Sequence, residues 1–148
     1  MRQTLLAIVI ATLAAVPSAA LATPFNHGDD RWAVIIGIDH FQGQTRPNVG
    51  SVGDAQAFQE LLRRNGWRED RVRVLTDRAA TAAGMRAAMQ WLVDNCSPTS
   101  YCLFHYSGHV KQMGSGDYGG GPHEYLWPHD GRFISDDEFA GYMKQLKG

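Results

Sequence analysis

One continuous apolar run, residues 32–38 with the sequence WAVIIGI, constrains the fold of this 148-residue chain more than any other stretch. The run is rich in β-branched residues and has no alternating polar positions, which is typical of a central strand covered on both faces. Such a strand needs helices on both sides of its sheet. The composition, 44% hydrophobic and 20% charged, supplies enough apolar side chains for one such core in a single domain.

Helices and strands are predicted to alternate after this run. Ser51 is placed to cap the first helix, and Ser135 with Glu138 forms a capping box on the last. Alternation of this kind implies right-handed crossovers and a mainly parallel sheet, and hence a three-layer α/β sandwich. The predicted segments are a helix at 51–65, a strand at 71–75, a helix at 81–95, a strand at 101–106, a glycine-rich loop at 111–122, a short strand-like piece at 124–130 and a helix at 135–146.

The first 22 residues have the pattern of a secretory signal peptide. A basic residue precedes an apolar stretch at residues 5–16, and a small-residue cleavage site ends at Ala22. The alternative is an uncleaved membrane anchor, but the stretch is shorter than the ~20 residues that a spanning helix needs. We therefore expect a secreted or periplasmic protein with no membrane attachment after cleavage, in which residues 23–30 form a leader and residues 31–148 the folded domain.

The net charge limits the classes of binding partner. The net charge is −1 and the isoelectric point is near 6.6. No cluster of Lys and Arg is interleaved with aromatic residues. We therefore expect no nucleic-acid partner.

Two cysteines, Cys96 and Cys102, flank a short connection at residues 97–100. They are close enough in sequence for a disulfide that would tie a helix end to the following strand in an oxidising compartment. The alternative is a pair of buried free thiols.

A histidine follows the predicted strand at residues 101–106. The strand stops at Ser107-Gly108, so His109 is expected to enter a loop at the carboxyl edge of the sheet, where open α/β sheets carry their chemistry. From the local sequence alone, a single histidine at a strand end is more often an ordinary loop residue than a catalyst.

The tetrapeptide YSGH at residues 106–109 resembles the histidine motif of caspase-like cysteine peptidases, the group that includes metacaspases and their bacterial relatives. The resemblance extends over about residues 31–148 and implies a caspase-like fold. Other segments fit the same family in order: Ile-Gly-Ile at 36–38, Gly-Asp-Ala at 53–55, Leu-Thr-Asp at 75–77, Leu-x-Pro-x-Asp at 126–130 and Ile-Ser-Asp-Asp-Glu at 134–138.

This resemblance implies that His109 is the base of a Cys/His dyad. A neighbouring imidazole raises the thiolate fraction of a cysteine, whose free pKa is about 8.5, and later protonates the leaving amine. It also implies that the backbone at Gly108 contributes to an oxyanion hole. The chain departs from the family at Val110, where a glycine is usual.

A substrate pocket for a basic side chain is implied as well, lined by Asp54, Ser107 and Ser51. Asp54 and Ser107 match the family's pocket positions, and Ser51 stands where metacaspases often have cysteine. A pocket carboxylate favours Arg or Lys through charge-assisted hydrogen bonds. The alternative for Asp54 is an acid at a helix start, which the helix dipole favours.

Asp136 and Asp137 match a pair of aspartates that bind calcium in some metacaspases, and calcium prefers clustered carboxylates. The alternative is that both are first-turn acids of a capped helix. His123 stands where a further calcium aspartate would be expected. The implied activity requires no cofactor, and the histidine and cysteine spacings do not form a zinc motif.

The function that follows is a cysteine endopeptidase that cleaves a peptide or protein substrate after Arg or Lys. The family's nucleophilic cysteine lies on a strand after the histidine, so we expect this chain to be truncated before that strand and inactive alone. The rival hypothesis is a catalytically inactive caspase-like module that binds proteins. A nucleotide-binding domain is disfavoured because no phosphate loop is present.

Overall fold

The computed structural model describes residues 30–43, 46–114 and 123–146. The expected signal peptide at residues 1–22, and all but the last residue of the expected leader, lie outside these ranges. Within the described ranges, no helix is both long and apolar enough to cross a lipid bilayer.

Three parallel strands form the centre of the structure. β1 (Arg31–Gly37) lies between β2 (Val72–Thr76) and β3 (Tyr101–Ser107), which gives the strand order β2-β1-β3. Both pairings are parallel because a helix connects each strand to the next. Residues 33–36 of β1 have no exposed surface. This burial confirms the central strand predicted from the WAVIIGI run.

Helices cover both faces of this sheet. α1 (Ser51–Arg64) packs on one face, while α2 (Ala82–Asn95) and α3 (Asp136–Met143) pack on the other. Successive side chains of a strand point to opposite faces. Ala33 and Ile35 of β1 therefore pack in the core with α1. Val34 and Ile36 pack in the core with α2. The predicted three-layer α/β sandwich is confirmed.

A small antiparallel sheet follows His109. β4 (Val110–Met113) pairs with β5 (His123–Leu126), which pairs with β6 (Ile134–Ser135). The predicted loop at 111–122 is therefore wrong at its start. β4 is short and half exposed, so it carries no apolar run that would reveal a strand. Residues 115–122 lie outside the described part of the chain.

Helix α1 is capped by a residue outside its own first turn. Gly50 is its N-cap residue, with a φ of 108°, and has no side chain to offer. Instead, Oδ1 of Asp39 accepts the N–H of Ser51 at 2.7 Å. The prediction that Ser51 caps this helix is therefore wrong, because Ser51 is already the first helical residue.

Helix α3 has half of the predicted capping box. Oγ of Ser135 accepts the N–H of Glu138 at 3.1 Å. The Glu138 carboxylate does not complete the box, because it binds the Arg86 guanidinium of α2 at 2.6 and 2.9 Å. Hydrogen bonds from Arg86 lower the pKa of Glu138, and the ion pair ties together the two helices on this face.

Cys96 and Cys102 join the end of α2 to β3. Their sulfur atoms are bonded in the structure, with the Cα atoms 6.3 Å apart. Both side chains lie in the core between the sheet and α2. Neither cysteine therefore presents a free thiol.

Gly37 ends β1 where α1 passes close to the sheet. An added Cβ would overlap the carbonyl oxygen of Ser51 and would lie 2.7 Å from the Cβ of Ala55. We expect Gly37→Ala to lower the free energy of unfolding by about 1–3 kcal/mol, measured by urea denaturation. The matched control is Gly53→Ala in α1, where an added Cβ meets no atom within 4 Å. Equal stability of the two variants would contradict this close approach.

Candidate active site

The candidate site lies at the carboxyl edge of the parallel sheet. β1 and β3 end there at the paired residues Gly37 and Ser107, and the N–H of Ile38 donates to the Ser107 carbonyl at 3.0 Å. Gly108 and His109 then form a tight connection to β4. The sequence predicts that His109 enters a loop, and in the structure this loop is only the two-residue connection between β3 and β4.

Aromatic rings hold the imidazole of His109. Phe41, which follows β1 and is 4% exposed, stacks on it with centroids 4.7 Å apart and an interplanar angle of 17°. The Trp127 ring is tilted against it at 5.9 Å. Neither nitrogen of this ring has a hydrogen-bond partner among the described residues. The sequence analysis misses Phe41, whose only signal is an aromatic side chain just after the buried strand.

A buried tyrosine fixes the backbone of His109. The hydroxyl of Tyr106 donates to the His109 carbonyl at 2.7 Å and approaches the Trp127 carbonyl at 3.1 Å. The same His109 carbonyl accepts the N–H of Trp127 at 3.1 Å. Burial raises the pKa of Tyr106 to about 12, so this hydroxyl remains a donor at neutral pH.

Gly108 is required by space rather than by backbone angle. Its φ is not positive, but an added Cβ would lie 2.7 Å from the Tyr106 hydroxyl oxygen. Val110, the departure from the family pattern, begins β4 opposite Leu126 and is 55% exposed. A valine fits there without positive φ, and the residue after His109 is the first residue of a strand.

Asp54 and Ser107 meet beside this turn. Oγ of Ser107, the last residue of β3, donates to Oδ2 of Asp54 in the first turn of α1 at 3.0 Å. Ser51 is placed differently, since it is 5% exposed and its Oγ accepts a hydrogen bond from Nδ2 of Asn48 at 2.7 Å. The structure thus brings together two of the three predicted pocket residues and buries the third.

Asp77 holds the loop between β1 and α1. Its φ is 42°, a left-handed value, and its Oδ1 accepts the N–H groups of Asp39 and His40, each at 2.9 Å. Burial acts to raise the pKa of Asp77, but the donated hydrogen bonds outweigh it and the pKa is lowered. Asp77 therefore positions Asp39, which in turn caps α1 ahead of Asp54. Sequence reasoning places Asp77 only at a strand end.

His123, Asp136 and Asp137 form a group that could hold a metal ion. One donor atom from each lies within 4.8 Å of the others, and all three side chains are exposed. Nδ1 of His123 is 3.8 Å from Oδ1 of Asp136 and 3.9 Å from Oδ2 of Asp137. The two predicted calcium aspartates are thus adjacent to His123, the position at which the resemblance implies a further aspartate.

The arrangement can carry acid–base chemistry next to a carboxylate. His109 presents an imidazole at the sheet edge, and the Ser107–Asp54 pair places a negative charge near the same strand end. The family model described as the caspase domain matches residues 30–147. The chain belongs to the caspase-domain peptidase family. This membership confirms the resemblance inferred from the YSGH motif.

Named relatives agree with this membership. The chain is 37% identical over 124 residues to metacaspase-1 of Mycosarcoma maydis, covering 76% of this chain and 31% of that protein. It is 34% identical over 130 residues to metacaspase-1 of Kluyveromyces lactis, covering 79% and 30%. The chain therefore spans less than a third of the length of these relatives.

A solved structure shares the fold. The crystal structure of protein GSU0716 from Geobacter sulfurreducens superposes with a TM-score of 0.68 at 21% identity. The match covers 79% of this chain and 46% of that chain.

Tyr106→Phe tests how the backbone of His109 is held. Removing the hydroxyl leaves two carbonyls without this donor, so we expect the free energy of unfolding to fall by about 1–3 kcal/mol. The imidazole resonances of His109 should also shift in NMR spectra. Tyr125→Phe is the control, because its hydroxyl makes no hydrogen bond within the described residues. Unchanged His109 resonances in Tyr106→Phe would contradict this role.

Asp77→Asn tests the loop network through its pH dependence. A carboxyl whose pKa is lowered in the folded state stabilises the fold above its unfolded pKa of about 3.9. We therefore expect the chain to be more stable than Asp77→Asn near neutral pH, and the difference to shrink as the pH falls below that value. Chemical denaturation at several pH values measures this difference, with Asp94→Asn as control because Asp94 is an exposed residue of α2. A pH-independent difference would contradict this account.

Proposed function

We propose that this chain carries the catalytic base and the substrate pocket of a cysteine endopeptidase that cleaves polypeptides after Arg or Lys. The observation that carries the proposal is the 3.0 Å hydrogen bond from Ser107 to Asp54. It fixes a carboxylate at the strand end from which His109 follows. Its substrates are proteins or peptides, as membership of a peptidase family suggests.

The charge of Asp54 is available to a substrate. Within the described ranges, no Lys or Arg forms an ion pair with it, although many other carboxylates of the chain are paired. The Ser107 hydroxyl occupies Oδ2 as a neutral donor and leaves the other oxygen open. A substrate guanidinium or ammonium group would form a charge-assisted hydrogen bond there, whereas an acidic side chain would be repelled.

His109 supplies the base of the proposed dyad. Its ring is held by Phe41 and Trp127 and its carbonyl by Tyr106, so the imidazole nitrogens are free to exchange a proton with a thiol. The N–H groups around Gly108 supply the proposed oxyanion contact. Ordering the base in advance lowers the cost of reaching the transition state.

The proposal takes its nucleophile from outside this sequence. The only cysteines, Cys96 and Cys102, are bonded to each other and precede His109. Among the described strands, β3 pairs with β1 alone. A further strand parallel to β3 on its other edge would end at the same side of the sheet as His109. We place the family's nucleophilic cysteine at the end of such a strand.

One observation favours the rival function, a caspase-like module that binds proteins without cleaving them. Val110 is drawn into β4, where it is paired with Leu126. A β-branched residue restricts the backbone next to the proposed base more than the usual glycine does. A module of this kind would keep the Asp54 pocket for recognition and lose turnover.

The proposal also includes export from the cytoplasm and a calcium site. The disulfide supports an oxidising compartment, in line with the signal pattern of residues 1–22.

A divalent cation near the start of α3 is supported by the grouping of His123, Asp136 and Asp137. Calcium would be held there mainly by the two aspartates.

Peptide cleavage tests the base and the pocket. The assay uses the reading frame continued by ~100 residues past Gly148, a length set by typical domain size, with Arg, Lys and Asp fluorogenic peptides with and without calcium. We expect cleavage after Arg and Lys, and a loss of about 10²–10⁴-fold in His109→Ala.

The Asp54→Asn variant separates recognition from chemistry. It should lower kcat/KM for Arg peptides by about 10–100-fold, the effect of losing a hydrogen bond to a charged group, while Asp94→Asn should not. Preferred cleavage after Asp would overturn the basic pocket. No cleavage by a folded, calcium-supplied protein would favour the binding module.

A further inference from the structure

The pocket carboxylate of Asp54 is held by two elements at once. Ser107, at the end of β3, donates to its Oδ2 at 3.0 Å. The backbone of Asp54 belongs to the first turn of α1, where its N–H donates to the carbonyl of Gly50 at 2.7 Å. The position of this carboxylate relative to β3 therefore depends on how the start of α1 is fixed to the sheet.

The side chain of Asp39 fixes the start of α1 to the end of β1. Its Oδ1 accepts the N–H of Ser51 at 2.7 Å and lies 3.4 Å from the backbone nitrogen of Val52. A helix usually takes this acceptor from its own N-cap residue. Here the N-cap residue is Gly50, which has no side chain, and the acceptor comes from a residue 12 positions before Ser51.

The backbone of Asp39 is anchored independently of its side chain. Its N–H donates to Oδ1 of Asp77 at 2.9 Å, and its carbonyl accepts the N–H of Asn48 at 2.6 Å. Immediately before it, the N–H of Ile38 donates to the Ser107 carbonyl at 3.0 Å. The capping carboxylate is therefore attached to a fixed backbone, next to the residue that binds the pocket carboxylate.

These contacts form a closed ring of hydrogen bonds around the proposed pocket. The ring runs from Ile38 to Ser107, from Ser107 to Asp54, along the first turn of α1 to Ser51, and from Ser51 back to Asp39. Asp39 is the member that joins β1 to α1. Without its carboxylate, the turn that carries Asp54 would lose this capping acceptor.

We propose that Asp39 is a positioning residue for recognition of the substrate's Arg or Lys side chain, an inference that rests on the proposed function. By accepting the first N–H of α1, it holds the turn in which Asp54 meets Ser107 and presents its open oxygen to a guanidinium or ammonium group. An acceptor that is already in place costs less to bind. Ser51, which the resemblance implies as a pocket residue, acts through its backbone N–H.

Peptide binding to the extended protein tests this role. A His109→Ala background prevents cleavage, so the same measurement applies to a peptidase and to a binding module. The probes are a fluorescent Arg peptide and the same peptide with citrulline, a neutral isostere of arginine. We expect Asp39→Ala to lower the preference for Arg over citrulline by about 3–10-fold, part of the 10–100-fold effect of losing a hydrogen bond to a charged group.

The conservative variant Asp39→Asn separates the accepted hydrogen bond from the charge. Asparagine caps a helix as well as aspartate does, because its Oδ1 also accepts N–H groups. Asp39→Asn should therefore restore most of the preference that Asp39→Ala loses. If both variants lose it equally, the accepted hydrogen bond is not the cause and the inference is wrong.

Thr81→Ala is the matched control for stability. Oγ1 of Thr81 accepts the N–H of Gly84 at 3.1 Å and caps α2, which packs on the opposite face of the sheet from α1. The variant therefore removes a helix cap of the same kind away from the proposed pocket. It should lower the thermal stability as Asp39→Ala does and leave the preference for Arg unchanged. An equal loss of preference in Thr81→Ala would overturn the inference.

Kinetics of the cleaving protein, with His109 present, provide a second readout. Asp39→Ala should raise KM for Arg peptides and leave kcat unchanged, because Asp77 still binds the backbone of residue 39 and Tyr106 still binds that of His109. A fall in kcat with KM unchanged would contradict a role in recognition.

Asp54→Asn distinguishes a failure of this inference from a failure of the proposed function. If Asp54→Asn leaves the preference for Arg unchanged, the basic pocket is wrong and the role of Asp39 is wrong with it. If Asp54→Asn removes the preference and Asp39→Ala keeps it, the pocket stands and the positioning role is overturned.

Discussion

Burial of β1 on both faces is the constraint on which the rest of the structure depends. Because residues 33–36 expose no surface, the strand needs one helical layer with α1 and another with α2 and α3. Helices on both faces require crossover connections, and crossovers make the strands parallel. Parallel strands bring their carboxyl ends to one edge. The position of the candidate site is thus a consequence of how the core is covered.

Polar residues that act on the backbone then order this edge. The Asp39 carboxylate accepts the first N–H of α1, and the Asp77 carboxylate accepts N–H groups of the loop after β1. The Tyr106 hydroxyl donates to the carbonyl of His109. Partly buried N–H and carbonyl groups need partners, so each of these bonds satisfies the backbone and fixes a loop at the same time. Among the described residues, the side chains proposed for chemistry, His109 and Asp54, form no such hydrogen bonds to the backbone.

The sequence predicts the layers well and the local networks poorly. Apolar periodicity predicts the ends of β1, α1 and α2 to within one or two residues, because the spacing of apolar side chains reflects which side of an element is buried. Apolar periodicity does not predict β4, because this short, half-exposed strand depends on pairing with β5, which follows residues 115–122. Asp39 and Asp77 escape it too, because their partners lie 12 and 38 residues away. A long-range side-chain bond leaves no local pattern.

The candidate base and pocket depend on a resemblance rather than on a physical pattern. Nothing in the physical pattern of residues 101–110 separates a catalytic histidine from an ordinary turn histidine, and the resemblance of YSGH to a family motif made the difference. His40 and His129 illustrate the reverse case, because they carry no motif and only folding brings them to the lining of one cavity.

Under the proposed function, the surroundings of His109 favour a dyad over a triad. In a serine-type triad a buried carboxylate orients the imidazole and stabilises its charged form. Within the described part of this chain no carboxylate forms a hydrogen bond or ion pair with the ring, and Phe41 stacks against it instead. A close aromatic stack limits rotation of the imidazole, so it can orient the ring without a hydrogen bond. In the proposed dyad, the stack with Phe41 would take over the orienting task that a carboxylate has in a triad.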